Sequence, residues 1–369
     1  MGVPSGIRRD IGQLLIGSLP GTTVSPELRS LAREFQLGGV TLFARNIEAP
    51  EQVAELSYDL QSLAADLPLW ISVDQEGGRV ARLRAPFTEW PPMAVLGRSG
   101  DVTLARRFAA ALAAEMKAVG VSLDFAPVLD ILTNPKNPVI GDRALAEDAE
   151  AVGRLGAAIV EGLQNNGIAA CGKHFPGHGD TSVDSHLDLP LVEHPPDRIR
   201  RVECVPFREA IRANVAFIMT AHILVPALDE ERPATLSPHI VQTILREELG
   251  YSGVILSDDL EMKAIANTYS VADATVQAIA AGCDAVLICG NDSRGSVDTQ
   301  VAALEALVHA VEDGRIPYKR LEDALTRLRR AKERFLTQPV AVPAGSRTLR
   351  QVLGCDAHVR IAEEMARYL

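Results

Sequence analysis

The run KHFPGHGDTSVDSH, residues 173–186, places His174, His178 and His186 beside Asp180 and Asp184 within fourteen positions. Pro176, Gly177 and Gly179 bend the same stretch and oppose a regular helix through it. A surface loop without a task has little reason to gather such groups, so the run reads as an active-site loop. His186 stands two residues beyond Asp184, a spacing that lets the carboxylate orient the imidazole and raise its basicity. An imidazole titrates near neutral pH, so it can give a proton to a leaving oxygen and later take one from water. A solvent-exposed Asp-His pair is the plainer reading of the same two residues.

Asp258 follows the apolar run Val254, Ile255, Leu256, Ser257, where the chain enters SDDLEM. A carboxylate fixed at the end of a core strand has little positional freedom, which suits a nucleophile attacking a sugar anomeric carbon. The competing role is a helix cap or a brace for an arginine, and Asp259 fits that role better. Asp74 ends LWISVD in the same manner. With Arg82, Arg143 and Lys173 it forms a mixed-charge rim able to bind hydroxyls and a carbonyl, unless each belongs to a structural ion pair. His222, Asp124 and Asp130 stand at further strand ends and are expected to frame the pocket or to satisfy buried polar groups. The three histidines raise the possibility of zinc, but Pro176 and Gly177 break the helix that an HExxH site needs. No metal and no cofactor are expected. Aromatic residues make up only 4% of the chain, which favours a small pocket over an extended sugar-stacking cleft.

Positioning such groups requires a scaffold, and apolar strand-like runs recur at 12–18, 39–43, 69–73, 122–125, 169–172, 216–220, 253–256 and 285–288. Helix-compatible patterns occupy 50–65, 104–118, 146–165, 207–214, 237–248 and 271–281, with two more at 297–312 and 319–334. Eight strands in this alternation predict an α/β fold of the closed (β/α)8 TIM-barrel type, with a doubly wound open sheet as the alternative. The long segments 74–92, 126–144, 173–191 and 222–238 then open onto one end of the barrel, where catalytic groups collect. A catalytic barrel is expected over 1–337. Residues 338–369 form a linker, centred on 340–346, and a short final helix packing on or beside it.

The 369 residues are 47% apolar and carry 37 Lys and Arg against 48 Asp and Glu, a formal charge of −11. That balance argues against a nucleic-acid binder, whose affinity comes from neutralising phosphates. Asp10 and Gln13 interrupt the early apolar patch, and no uncharged run is long enough to cross a bilayer. A cytoplasmic protein without membrane attachment is expected. The five cysteines include no CxxC pair and read as reduced thiols.

Taken in order, GGVTLFARN at 38–46, SVDQEGGRVARL at 72–83, GVSLDFAPVLDI at 120–131 and VIGDRA at 139–144 lead into KHFPGHGDTSVDSH. MTAHI at 219–223, VILSDDLEM at 254–262 and AGCDAVLIC at 281–289 complete the series. This ordered set resembles family 3 glycoside hydrolases of the single-barrel bacterial β-N-acetylglucosaminidase type, over about residues 10–335. The resemblance implies a retaining exo-hydrolase that removes terminal, non-reducing β-linked N-acetylglucosamine. It makes Asp258 the nucleophile, His186 the acid/base with Asp184 as its partner, and Asp74, Arg82, Arg143, Lys173 and His174 the groups that hold the sugar. It further implies a cytosolic cell-wall fragment as substrate, a small carbohydrate or muropeptide such as GlcNAc linked to anhydro-N-acetylmuramic acid, processed in peptidoglycan recycling; a monomer is expected. A phosphorylase or a β-glucosidase on the same fold, and a sugar-binding protein without turnover, are the alternatives. Glu261 departs from similar chains that carry a small polar residue after SDDL.

Overall fold

The computed structural model describes residues 6–290, 297–337 and 345–369. Eight parallel strands close into a barrel in chain order: β1 (Leu15–Ser18), β2 (Gly39–Leu42), β3 (Trp70–Val73), β4 (Leu123–Asp124), β5 (Ala169–Phe175), β6 (Phe217–Thr220), β7 (Val254–Asp259) and β8 (Ala285–Leu287). The ring closes where Leu15 and Ile16 of β1 pair with Val286 and Leu287 of β8. The (β/α)8 barrel predicted from the sequence is thus the observed architecture. Strands covered on both faces need no polar side, which is why they read as short continuous apolar runs. Three ends move most against expectation: β1 begins only at Leu15, because Ile7–Gly12 is a helix rather than the start of the strand, β5 runs on through Lys173 and His174 to Phe175, and β7 runs on through Asp258 to Asp259.

Helices pack around the ring, and side chains cap the starts of several of them. Asp101 accepts from the N–H groups of Thr103 and Leu104 at the head of Val102–Ala118, and Asp148 accepts from Ala151 N–H at the head of Ala149–Asn165. Such side chains satisfy amides that a helix start leaves without partners. The helix Pro26–Phe35, capped by Ser25, adds to those expected. It fills the one gap left in the strand-helix alternation, between β1 and β2.

The helix Tyr318–Phe335 closes the end of the barrel opposite the site. Phe335 meets Trp70, which stands edge-on to Phe217 with ring centres 5.2 Å apart. Arg320 and Arg327 reach the buried Asp284 at the start of β8, where Arg246 also binds. Of the expected linker at 340–346, all but the last two residues lie outside the described residues. The expected final helix is a pair, Ser346–Val352 and Asp356–Ala366, whose Leu349, Leu353 and Met365 are buried. Buried Glu115 fastens that pair, accepting from Gly354 N–H and His358 Nδ1 as well as from Thr88. Among the described residues, no helix is long and apolar enough to cross a membrane.

Candidate active site

At the C-terminal ends of the strands a cavity of about 250 Å³ is lined by Asp74, Arg82, Arg143, Lys173, His174, Asp184, His186 and Asp258. The eight residues expected from the sequence to act in catalysis or sugar binding therefore face one space, whereas His222, Asp124 and Asp130 lie behind it and are not among its lining. It lies just under the roughly 300–1,000 Å³ usual for small-molecule sites, a size suited to one compact polar ligand.

The rim is assembled by a hairpin that follows β3. Gly77 and Gly78 take φ values of +104° and +58°, which glycine adopts without strain, and they turn Gln75–Gly77 back onto Val80–Ala81. Gln75 Oε1 accepts from the N–H groups of Arg82 and Leu83, at 2.8 and 2.9 Å, and so sets the base of Arg82. The Arg82 guanidinium reaches Asp74 at 3.2 Å, and Lys173 Nζ meets Asp74 from the other side at 2.7 Å. Lys173 also meets Glu76 at 2.7 Å, and Glu76 takes two hydrogen bonds of 2.8 Å from Arg143.

Glu76 is therefore the shared counter-charge of the rim, although the sequence reading did not single it out. Burial alone would push its carboxyl up, but Arg143 and Lys173 overcome this and hold it far below the ordinary carboxylate range. Asp74 is likewise held down by Lys173 and Arg82 against its burial. Glu76 is enclosed, and Asp74 and Arg82 are the most open groups of the rim. A signal for Glu76 was present: three cations around one carboxylate implied a missing negative charge, and the DQEGG turn supplies one two residues from Asp74.

Asp258 sits half-buried at the tip of β7, with one carboxyl oxygen accepting from Asp259 N–H at 2.8 Å. Burial raises its pKa, but the imidazoles of His222 and His174 and that amide lower it by more, so the carboxyl stays ionised. His222 is completely buried between Thr235 Oγ1 at 2.8 Å and the carbonyl of Asp259 at 2.9 Å. The carbonyl can only accept, which places the proton on His222 Nε2. Asp259 caps the turn beyond the strand, accepting from the N–H groups of Glu261 and Cys289, and burial pushes its own carboxyl up to about 7. Adjacent carboxylates thus have different environments, one ionised and facing the cavity, the other tied to the backbone.

The three histidines have separate partners. His174 Nδ1 contacts Asp130 at 2.7 Å, which turns its Nε2 toward the cavity. Asp130 also accepts from the N–H groups of His174 and His178. His178 is buried between Thr181 and Ser185, and burial pushes it down to about 4, so it is neutral at physiological pH. His186 Nδ1 lies 2.8 Å from Asp184, and the same carboxyl oxygen accepts His186 N–H at 2.8 Å. Those two contacts leave His186 Nε2 as the free end of the ring. Among the described residues, no group of three or more His, Cys, Asp or Glu is arranged to hold a metal ion.

An ionised carboxylate, a carboxylate-oriented imidazole and a charged rim around one sugar-sized space are the parts that displacement at an acetal carbon requires. The model of the glycosyl hydrolase family 3 N terminal domain matches residues 6–331. A Beta-hexosaminidase of Nitrosomonas eutropha is 42% identical over 316 residues, covering 84% of this chain and 89% of that protein. Beta-hexosaminidase A of Pseudoalteromonas piscicida is 36% identical over 367 residues, and the match covers 94% of this chain but only 60% of that longer relative. Among solved structures, a family 3 β-N-acetylglucosaminidase from a Paenibacillus species superposes with a TM-score of 0.93 at 42% identity, covering 99% of this chain and 69% of that one. Native NagZ from Neisseria gonorrhoeae superposes with a TM-score of 0.77 at 31% identity, covering 96% and 97%. By family match, identity and architecture together, this chain belongs to glycosyl hydrolase family 3, as a glycoside hydrolase of the β-hexosaminidase group.

Proposed function

We propose that the chain is a retaining exo-β-N-acetylglucosaminidase that releases terminal, non-reducing GlcNAc from small cell-wall fragments such as GlcNAc-anhydro-N-acetylmuramic acid and its peptides. The reading rests chiefly on one observation: ionised Asp258 and the Asp184–His186 dyad line the same single-sugar cavity. In the first step an Asp258 carboxyl oxygen bonds to the anomeric carbon as the glycosidic C–O bond breaks, and His186 Nε2 gives its proton to the departing oxygen. In the second step water attacks the anomeric carbon, His186 takes the water's proton, and Asp258 leaves. Two inversions restore the β configuration. Asp74 and Arg82, with Lys173, His174 and Arg143, hold the sugar's hydroxyl and acetamido groups. A pocket sized for one sugar fits removal of one end residue. A monomeric, cytoplasmic enzyme without metal or cofactor completes the proposal.

The test compares aryl N-acetyl-β-glucosaminides and aryl β-glucosides for wild type, D258N and H186A. D258N is expected to lose at least ~10³-fold in kcat. H186A should keep most of its kcat/KM, which reports the first step, on an activated aryl leaving group and lose roughly 10²-fold or more in kcat/KM on a poor one, while its kcat falls on both because the second step has lost its base. Equal loss on both leaving groups removes the acid role from His186, and an α-configured first product seen by NMR removes the nucleophile role from Asp258. An imidazole in place of a second carboxylate does not repel phosphate, so the assays are repeated with phosphate added. Phosphate-dependent release of GlcNAc 1-phosphate would reassign the chain as a phosphorylase, and faster turnover of the glucoside would reassign it as a β-glucosidase.

A further inference from the structure

Asp184 and His186 are open to solvent, with side chains 32% and 58% exposed, yet the serine between them is buried at 3%. Ser185 Oγ lies 3.1 Å from His178 Nε2, and the Ser185 carbonyl accepts from Ala264 N–H at 3.2 Å. The first contact ties the dyad to the loop leaving β5. The second ties it to the helix Lys263–Ala266, which follows Asp258 along the chain. His178 is itself immobilised: its N–H donates to Asp130 at 2.7 Å, its Nδ1 meets Thr181 Oγ1 at 2.7 Å, and its carbonyl accepts from Asn137 Nδ2 at 2.8 Å. A neutral imidazole has one N–H and one lone pair, so it can satisfy both hydroxyl neighbours at once.

We propose that Ser185 is the positioning residue of the acid/base loop, pinning Asp184 and His186 to the wall that carries the nucleophile through His178 on one side and Ala264 on the other. The inference rests on His186 being the acid/base. Ser185 does not act on the sugar. It limits how far the imidazole strays from the glycosidic oxygen, and a misplaced general acid loses rate only where the leaving group needs a proton. Removing the hydroxyl should therefore cost activity selectively, whereas a role in folding alone would lower every rate together.

The experiment measures kcat/KM for wild type, S185A, S185T, H178N and H186A on two N-acetyl-β-glucosaminides, one with a 2,4-dinitrophenyl and one with a methyl leaving group, alongside thermal melts. S185A is expected to lose roughly 10-fold or more on the methyl glycoside and less than ~3-fold on the dinitrophenyl glycoside, a part of the roughly 10²–10⁴-fold that a general acid contributes. H178N should show the same selectivity, and S185T, which keeps a hydroxyl, should recover most of the rate. Uniform loss in S185A, no loss in S185A, or no recovery in S185T each overturns the pin while selective loss in H186A leaves the acid assignment standing. If H186A itself loses both substrates equally, the acid assignment falls and the pin falls with it.

Discussion

Replacing Glu76 with glutamine removes the buried charge that Lys173 meets at 2.7 Å and that Arg143 grips with two hydrogen bonds of 2.8 Å. The side chains of Glu76, Lys173 and Arg143 are only 1%, 3% and 10% exposed, so neither cation can turn to water for compensation. Breaking a buried pair by removing one partner costs about 3–5 kcal/mol, because the surviving charge stays desolvated. Lys173 keeps Asp74, and a glutamine oxygen still accepts one bond, so E76Q is expected near ~3 kcal/mol and E76A near ~5 kcal/mol. Urea unfolding at pH 7 measures both. Because Arg143 and Lys173 hold the Glu76 carboxyl below its ordinary 4.5, its contribution is complete above that pH. Below it the unfolded chain takes up a proton that the folded chain refuses, and the difference between wild type and E76Q must narrow. Lys173 and Arg143 face the proposed sugar position, so KM should rise ~10-fold while kcat changes less. An E76Q protein within 1 kcal/mol of wild type, with unchanged KM and a stability difference independent of pH, would refute this reasoning.

Lys332 is buried at the closed end of the barrel with Gln13 Oε1 at 2.7 Å, and burial pushes its amine down to about 7. A base whose folded pKa lies below its unfolded 10.5 costs stability in full under pH 7 and progressively less toward 10.5. Lys332→Met should therefore stabilise the protein by roughly 2 kcal/mol at pH 6, net of the lost Gln13 bond, with the gain gone near pH 10; melts that show a pH-independent effect reject this. Glu115→Ala should cost about 2–3 kcal/mol and speed amide exchange in Asp356–Ala366, since it deletes the acceptor of Gly354 and His358. Unchanged exchange there would mean that the apolar contacts of Leu349, Leu353 and Met365 hold the tail unaided.

All eight strands were legible because a parallel strand buried on both faces must be an apolar run, and Gly or polar residues punctuate each one here. Their exact ends were not. The strands run on past Gly172 and Leu256 because pairing resumes beyond them, Lys173 with Val128, Phe175 with Thr220 and Asp259 with Leu287, after local shifts of register. The helix Pro26–Phe35 carried its own signals in Ser25, Pro26 and the buried Leu28, Leu31 and Phe35, yet its charged composition masked them. His178 stood in view within the glycine-rich loop, but nothing in its spacing distinguished an anchor from a ligand.

The order of residues alone tells which reactive groups exist and that they stand at strand ends or in the loop after β5, since local pattern sets strand, loop and turn. It also determined the Asp184–His186 pair, whose members are two residues apart and meet within a single turn. Only the tertiary structure decided that Arg143 answers to Glu76 across 67 positions, that Lys173 bridges two carboxylates, and that the histidines face three different partners. Those pairings depend on how the closed ring brings distant strand ends to one height and on which side chains it seals from water. Neither quantity is carried by any short stretch of chain, because charges buried together choose partners by distance and burial rather than by order in sequence.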